Sequence, residues 1–169
     1  AVKFLANKYG IPIPERQKTA QEIAREQKAK QVIATNELAA KFYQACLTKT
    51  PYGKAALDYL HNRGITDDII EDFSMGFAIN SFNGLMNALG KRGYNGEMLM
   101  QAGLAVPGKN GGAYDKFRGR VMIPIKDSRG RIVGFTGRIL GDGMPKYMNT
   151  GETEFFIKRY LLFGLDIEI

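Results

Sequence analysis

The chain has 169 residues and a mass of 18.8 kDa, enough for one ordinary domain with a tail or for two very small ones. Its 44% apolar and 24% charged content excludes wholesale disorder, and no stretch approaches the roughly 18 unbroken apolar residues of a membrane span. Twenty-four basic against 17 acidic residues leave +7, which points toward phosphate-bearing partners, although a solvated basic surface would have the same composition.

Residues 1–14 open with Val2, Leu5 and Ala6 on one helical face. Gly10 stops the turn, and Ile11-Pro12-Ile13-Pro14 is held extended by its two prolines. This start lacks the long apolar centre of a signal peptide, so the cytoplasm is the default compartment. From Glu15 to Lys30 the run is polar, with Ile23 its one large aliphatic residue; it reads as a solvated linker helix or a flexible tether. Ile33, Leu38, Phe42 and Leu47 then recur at helical spacing and predict an amphipathic helix over residues 31–48. Thr50-Pro51 begins a second helix that runs to Arg63-Gly64, and Thr66-Asp67-Asp68 a short third one, with acids at the positive end of its dipole. A strand is expected over Phe73–Ile79, followed by short helices around Gly84–Leu89 and Glu97–Ala102.

The second half changes character. Arg120–Lys126 predicts a strand that Pro124 places at a sheet edge or on a bulge. Asp127-Ser128-Arg129-Gly130 turns the chain, and Arg131–Leu140 returns. Gly141-Asp142-Gly143 is a loop, residues 152–159 a short helix, and residues 161–165 an apolar segment. The expected class is α+β, a helical first half followed by a small mixed or antiparallel sheet with short helices.

Chemistry-bearing motifs are few. No Walker loop and no Gly-x-Gly-x-x-Gly helix start occur, and Gly108–Gly112 lacks the lysine and hydroxyl of a phosphate loop, so it reads as mobile. Cys46 cannot close an internal disulfide and sits in a helical pattern as a small apolar residue. With one histidine, His61, the soft ligands are too few for a structural zinc site, and nothing supports a Cys–His catalytic pair. Asp67-Asp68 and Glu71-Asp72 need no role beyond a helix N-terminus and its exposed face. The charge, by contrast, is uneven. Residues 66–114 hold three basic and five acidic side chains, whereas residues 115–131 hold six basic and two acidic.

Arg118 and Arg120 stand two apart on an extended segment and are expected on one face. Arg138 ends the next strand, and Lys146, Tyr147, Asn149 and Lys158 follow. Cations for phosphates, a ring for a base and amides for sugar contacts are what a single-strand track requires. The same residues would also fit a core tyrosine with a charged rim.

The run Tyr114-Asp115-Lys116-Phe117-Arg118-Gly119-Arg120-Val121-Met122-Ile123-Pro124-Ile125 resembles a hallmark of the DnaG-type bacterial DNA primases. The likeness continues through Gly130–Leu140, Pro145–Thr153, Phe156–Arg159 and Leu162–Leu165. Upstream it takes in Tyr59–Ile65 and Phe73–Ala78, so it covers about residues 31–169. It implies that residues 1–14 are the end of a zinc-binding domain, 15–30 a linker, and 31–169 the N-terminal, basic subdomain of the RNA polymerase core. On that reading the chain stops before the TOPRIM subdomain and lacks the catalytic acids, the helicase-binding domain and any metal site of its own. Mg or Mn on TOPRIM carboxylates and Zn in the N-terminal domain are expected of the whole protein.

The activity so implied is synthesis of short RNA primers on single-stranded DNA, with this fragment inactive alone and acting as a monomer. Arg118, Arg120, Arg138, Lys146 and Lys158 would form a ridge for template and nucleotide phosphates, assisted by Tyr147 and Asn149. Phe82 is a departure, since the family often has tryptophan in that stretch and weaker stacking or none is expected there. A non-catalytic single-strand-binding α+β module is the alternative, and a scaffold docking an acidic protein on residues 115–131 a third.

Overall fold

The computed structural model describes residues 2–13, 15–151 and 153. Helix α1 (Val2–Tyr9) ends at Gly10, and residues 11–13 have no regular structure. Helix α2 (Ala20–Lys49) is a single unbroken element where a tether or linker helix and a separate core helix were expected. Its start is fixed by a capping box. The Thr19 hydroxyl accepts from the Glu22 N–H at 3.2 Å, and the Glu22 carboxylate accepts from the Thr19 N–H at 2.9 Å.

At 1.5 Å per residue α2 is about 45 Å long. Val32, Thr35, Asn36, Ala39, Ala40, Tyr43, Cys46 and Leu47 are buried along it at three- and four-residue steps, so only its second part faces a core. Cys46 is a free, buried thiol whose pKa burial pushes up, in line with an apolar helix position.

A 3-10 turn at Pro51–Gly53 leads into α3 (Lys54–Asn62), and α4 (Asp67–Asp72) follows. The strand expected over 73–79 is shorter, β1 (Gly76–Ala78), because Phe73 caps α4 and Ser74 adopts φ 51°. Helices α5 (Gly84–Gly90) and α6 (Gly96–Gln101) are as read. Beyond them, Gly108–Gly112 is the loop of a small antiparallel hairpin, β2 (Ala105–Pro107) with β3 (Ala113–Asp115), two strands that the sequence did not suggest.

Strands β4 (Arg120–Lys126), β5 (Ile132–Ile139) and β6 (Tyr147–Asn149) complete an antiparallel sheet of order β1-β4-β5-β6. The β4–β5 turn is held by Asp127, whose carboxylate accepts from the Arg129 and Arg131 N–H groups and pairs with the Arg131 guanidinium at 2.7 Å. Pro124 is tolerated because β1 pairs only with Arg120, Val121 and Met122, so no third strand flanks it; the register shifts just beyond, between Ile125 and Lys126.

Two apolar clusters grip this sheet. Met122, Phe135 and Ala78 pack on one face with Tyr43, Ala39, Leu85, Leu99 and Phe117. Phe77, Val121 and Ile123 pack on the other with Leu47, Ala56, Leu60 and Ile70. The α2–β1 contact is close enough to require glycine, since a Cβ on Gly76 would lie 2.5 Å from Tyr43 backbone. The mixed helical and antiparallel architecture is the α+β class read from the sequence. No helix among the described residues is long and apolar enough to cross a membrane.

Candidate nucleic-acid interface

Strand β6 is short, but it is held at both ends. At its start the Ile139 N–H donates to the Lys146 carbonyl at 2.9 Å. At its end the Phe135 N–H donates to the Thr150 hydroxyl at 2.8 Å, and the Thr150 N–H returns a bond of 2.8 Å to the Phe135 carbonyl. Lys116 adds a contact from its ammonium to the Asn149 carbonyl at 2.9 Å. Met148 packs against the core while Tyr147 and Asn149, two residues apart, share the opposite face and are exposed. Lys146 is exposed beside them. A rigid edge strand therefore presents a cation, a ring and an amide in a fixed order.

Tyr147 lies opposite Arg138 on β5. The Arg138 guanidinium is 6.0 Å from the Tyr147 ring and 4.9 Å from the ring of Tyr59 on α3. Arg63, four residues on from Tyr59, places its guanidinium 5.1 Å from that same ring, and the Lys146 ammonium lies 5.8 Å from the Tyr147 ring. Cations and rings thus alternate through Arg63, Tyr59, Arg138, Tyr147 and Lys146.

Arg138 is only 8% exposed, and its Nη1 donates to the Ile139 carbonyl at 2.6 Å, yet its Nε has no hydrogen-bond partner. Among the described residues no carboxylate pairs with Arg63, Arg138 or Lys146. A buried guanidinium without an anion is costly, and an incoming phosphate offsets that cost. Tyr59 and Arg63 were not singled out by the sequence reading. Their four-residue spacing, which stacks two side chains on one helix face, was the available signal.

Arg118 and Arg120 do not share a face. Gly119 between them adopts φ +61°, so the extended run breaks and the two side chains diverge. Arg120 turns inward and is 4% exposed; its Nη1 donates to the carbonyls of Gly137 at 3.2 Å and Lys146 at 3.4 Å. It acts as a brace that ties the approach to β6 onto β5. Burial pulls its pKa down, with the neighbouring Arg118 charge adding to the effect.

Arg118 lies instead over Phe82, 4.5 Å from the ring centroid, and donates to the Asp115 carbonyl at 2.6 Å. Lys126, Arg129 and Arg131, the rest of the basic block, sit at the far end of the β4–β5 hairpin, about 20 Å away along the strand, with Arg131 paired to Asp127. Lys158 lies outside the described residues, as do the apolar segment at 161–165 and the helix expected at 152–159 except for Thr153, which forms an isolated β-bridge instead of a helical turn.

Asp115 organises the ground behind Arg118. Its buried carboxylate accepts from the N–H groups of Leu85 at 2.8 Å and Met86 at 3.1 Å, and its own N–H donates to the Phe82 carbonyl at 2.7 Å. Burial raises its carboxyl pKa to about 6 despite these bonds and Arg118. Among the described residues no three His, Cys, Asp or Glu side chains gather as a metal site.

This arrangement can bind anions and stack bases, and the chain as a whole is similar to known proteins of one kind. The family model for the DNA primase catalytic core, N-terminal domain, matches residues 42–168. A DNA primase of Pseudomonas putida is 40% identical over 166 residues, 98% of this chain and 25% of that protein, so the chain spans about a quarter of the length of such curated relatives. The solved catalytic domain of a DnaG primase bound to single-stranded DNA aligns with a TM-score of 0.73 at 36% identity, covering 78% of this chain and 42% of that one. The zinc-binding and RNA polymerase domains of the Aquifex aeolicus primase align at 0.68 and 28% identity, over 93% of this chain and 36% of that one. A sheet, a helical frame and a sequence matched over most of their length leave one assignment: the chain belongs to the family of the DNA primase catalytic core N-terminal domain.

Proposed function

We propose that the chain forms the template- and nucleotide-phosphate-binding wall of a DNA primase that makes short RNA primers on single-stranded DNA. The observation that carries this reading is the alternating stack Arg63–Tyr59–Arg138–Tyr147–Lys146, three cations with no carboxylate among the described residues to neutralise them. Lys146 and Arg138 meet phosphate oxygens, Tyr147 takes a base on its ring, and Asn149 hydrogen-bonds a sugar or phosphate. Arg120 positions Lys146 from beneath. Arg118 and Lys158 belong to the same wall. A positive, sequence-tolerant surface of this kind suits a template whose sequence changes with every primer.

In the whole protein residues 1–14 would close a zinc-binding domain, 15–30 would link it to the core, and 31–169 would be the core's basic subdomain. Because α2 runs through position 30, that linker is helical from Ala20 onward. Mg or Mn ions on TOPRIM carboxylates would supply the Lewis-acid chemistry of phosphoryl transfer, and Zn would belong to the N-terminal domain. The protein would act in the cytoplasm as a monomer and meet the replicative helicase through a C-terminal domain.

The test is primer synthesis by the whole primase carrying Arg138→Ala or Lys146→Ala. Both variants keep the native circular dichroism spectrum and lose priming; normal primer yield from the exposed Lys146 variant contradicts the assignment.

A further inference from the structure

The Tyr59 ring is half-buried and packs on the cluster of Leu47, Ala56, Leu60 and Ile70. Its hydroxyl is buried and has no hydrogen-bond partner. The oxygen thus offers a ligand nothing, and the ring is what the site can use. That ring carries two guanidinium groups, Arg138 at 4.9 Å and Arg63 at 5.1 Å.

The two arginines reach it from different elements. Arg138 comes from β5, with its Nη1 anchored on the Ile139 carbonyl at 2.6 Å. Arg63 comes from the C-terminal end of α3, where the backbone is pinned: its N–H donates to the Leu60 carbonyl at 3.1 Å, and the Ile65 N–H donates to the same oxygen at 3.0 Å. Two like charges at one ring repel each other. Among the described residues no carboxylate forms an ion pair with either of them. The negative face of an aromatic ring attracts a guanidinium, so Tyr59 offsets the repulsion without neutralising the charge.

We infer that Tyr59 is a positioning residue whose ring holds Arg63 and Arg138 together as a preorganised pair for phosphate, without itself touching the nucleic acid. The inference rests on the reading of this chain as a nucleic-acid-binding wall and adds to it the residue that assembles the two arginines. Without the ring's attraction each arginine still meets its phosphate, but its side chain must be ordered at the moment of binding. The hydroxyl takes no part, so phenylalanine serves as well.

The test is fluorescence anisotropy of labelled single-stranded DNA over a range of salt, with the 169-residue chain, its Tyr59→Phe variant and the chain carrying pentafluorophenylalanine at position 59. The fluorinated ring keeps the shape of phenylalanine and reverses the charge of its face, which separates attraction for cations from packing. Tyr59→Phe binds as wild type does. Ordering an arginine on binding weakens Kd by about threefold, so the fluorinated chain binds about tenfold more weakly than Tyr59→Phe. Its slope of log affinity against log salt is unchanged, whereas Arg63→Gln lowers that slope by about 0.7. Arg63→Gln also costs less affinity in the fluorinated chain than in wild type, because the two positions are coupled.

Equal affinity of the fluorinated and Tyr59→Phe chains, alongside lost binding in Lys146→Glu, overturns the inference and leaves the wall standing. A loss in Tyr59→Phe as large as that in the fluorinated chain also overturns it, because the hydroxyl then matters and the ring does not. So does an Arg63→Gln loss that is the same in both backgrounds. If the folded wild-type chain binds no DNA at low salt, the inference falls together with the reading beneath it.

Discussion

Replacing Asp115 by asparagine removes a buried charge and keeps one oxygen to accept from Leu85 or Met86. Burial holds the Asp115 carboxyl at about 6 against an ordinary 3.8, outweighing the two N–H donors and Arg118, which pull the other way. The folded chain therefore binds this proton more tightly than the unfolded chain does. The stability Asp115 contributes is complete below pH 3.8 and is lost as pH rises through about 6. At 1.36 kcal/mol per unit, the shift is worth about 3 kcal/mol.

Urea denaturation of wild type and Asp115→Asn from about pH 3 to about pH 7 reads this directly. Wild-type stability relative to the variant should fall by about 3 kcal/mol across the window, with most of the change between the two pKa values. A difference that is flat with pH refutes the claim that burial dominates. A difference that grows with pH means that the backbone donors win and that the carboxyl is depressed instead.

The other expectations concern the frame. In Arg120→Met the stem volume is kept but the carbonyls of Gly137 and Lys146 lose their donor, a cost of about 1.5–3 kcal/mol. Because Arg120 meets no phosphate, its loss weakens single-stranded DNA binding with the salt slope intact, which anisotropy measures. Gly76→Ala forces a Cβ to 2.5 Å from Tyr43 backbone and should cost about 1–3 kcal/mol, read as a lower urea midpoint at unchanged m. Thr19→Ala removes the cap of α2 and should raise amide exchange over residues 20–30 by the equivalent of about 1 kcal/mol. The global midpoint should stay put, because those residues touch little of the core.

Strands β4 and β5 were legible because a run of branched and apolar residues flanks an Asp-Ser-Arg-Gly turn, and the turn chemistry is local. The hairpin β2–β3 and strand β6 were not, since three-residue strands carry no periodicity and exist only through distant partners. The continuity of α2 was signalled by Thr19 and Glu22 at capping-box spacing, a cue outweighed by the polar composition that follows.

Within the site, Arg138, Lys146 and Tyr147 were grouped from their order along the chain and from the family resemblance; the register of β6 on β5, which the sequence did not show, is what sets Tyr147 opposite Arg138. Arg120 could not be told from a surface cation, since β4 is buried on both faces and its alternation carries no outward signal. Tyr59 on α3 and Arg63 at its C-terminal end are paired by their four-residue spacing, but that they meet Arg138 is a long-range packing event that no local pattern encodes.

The central claim is that the unneutralised cations around Tyr59 and Tyr147 hold the phosphates of a single strand. Anisotropy of labelled single-stranded DNA against this chain at several salt concentrations, beside Lys146→Glu, tests it most directly. Each phosphate contact contributes about −0.7 to the slope of log affinity against log salt. The account predicts a salt-steep signal that Lys146→Glu loses. Binding that ignores salt, or none at low salt from a chain shown to be folded, would contradict it.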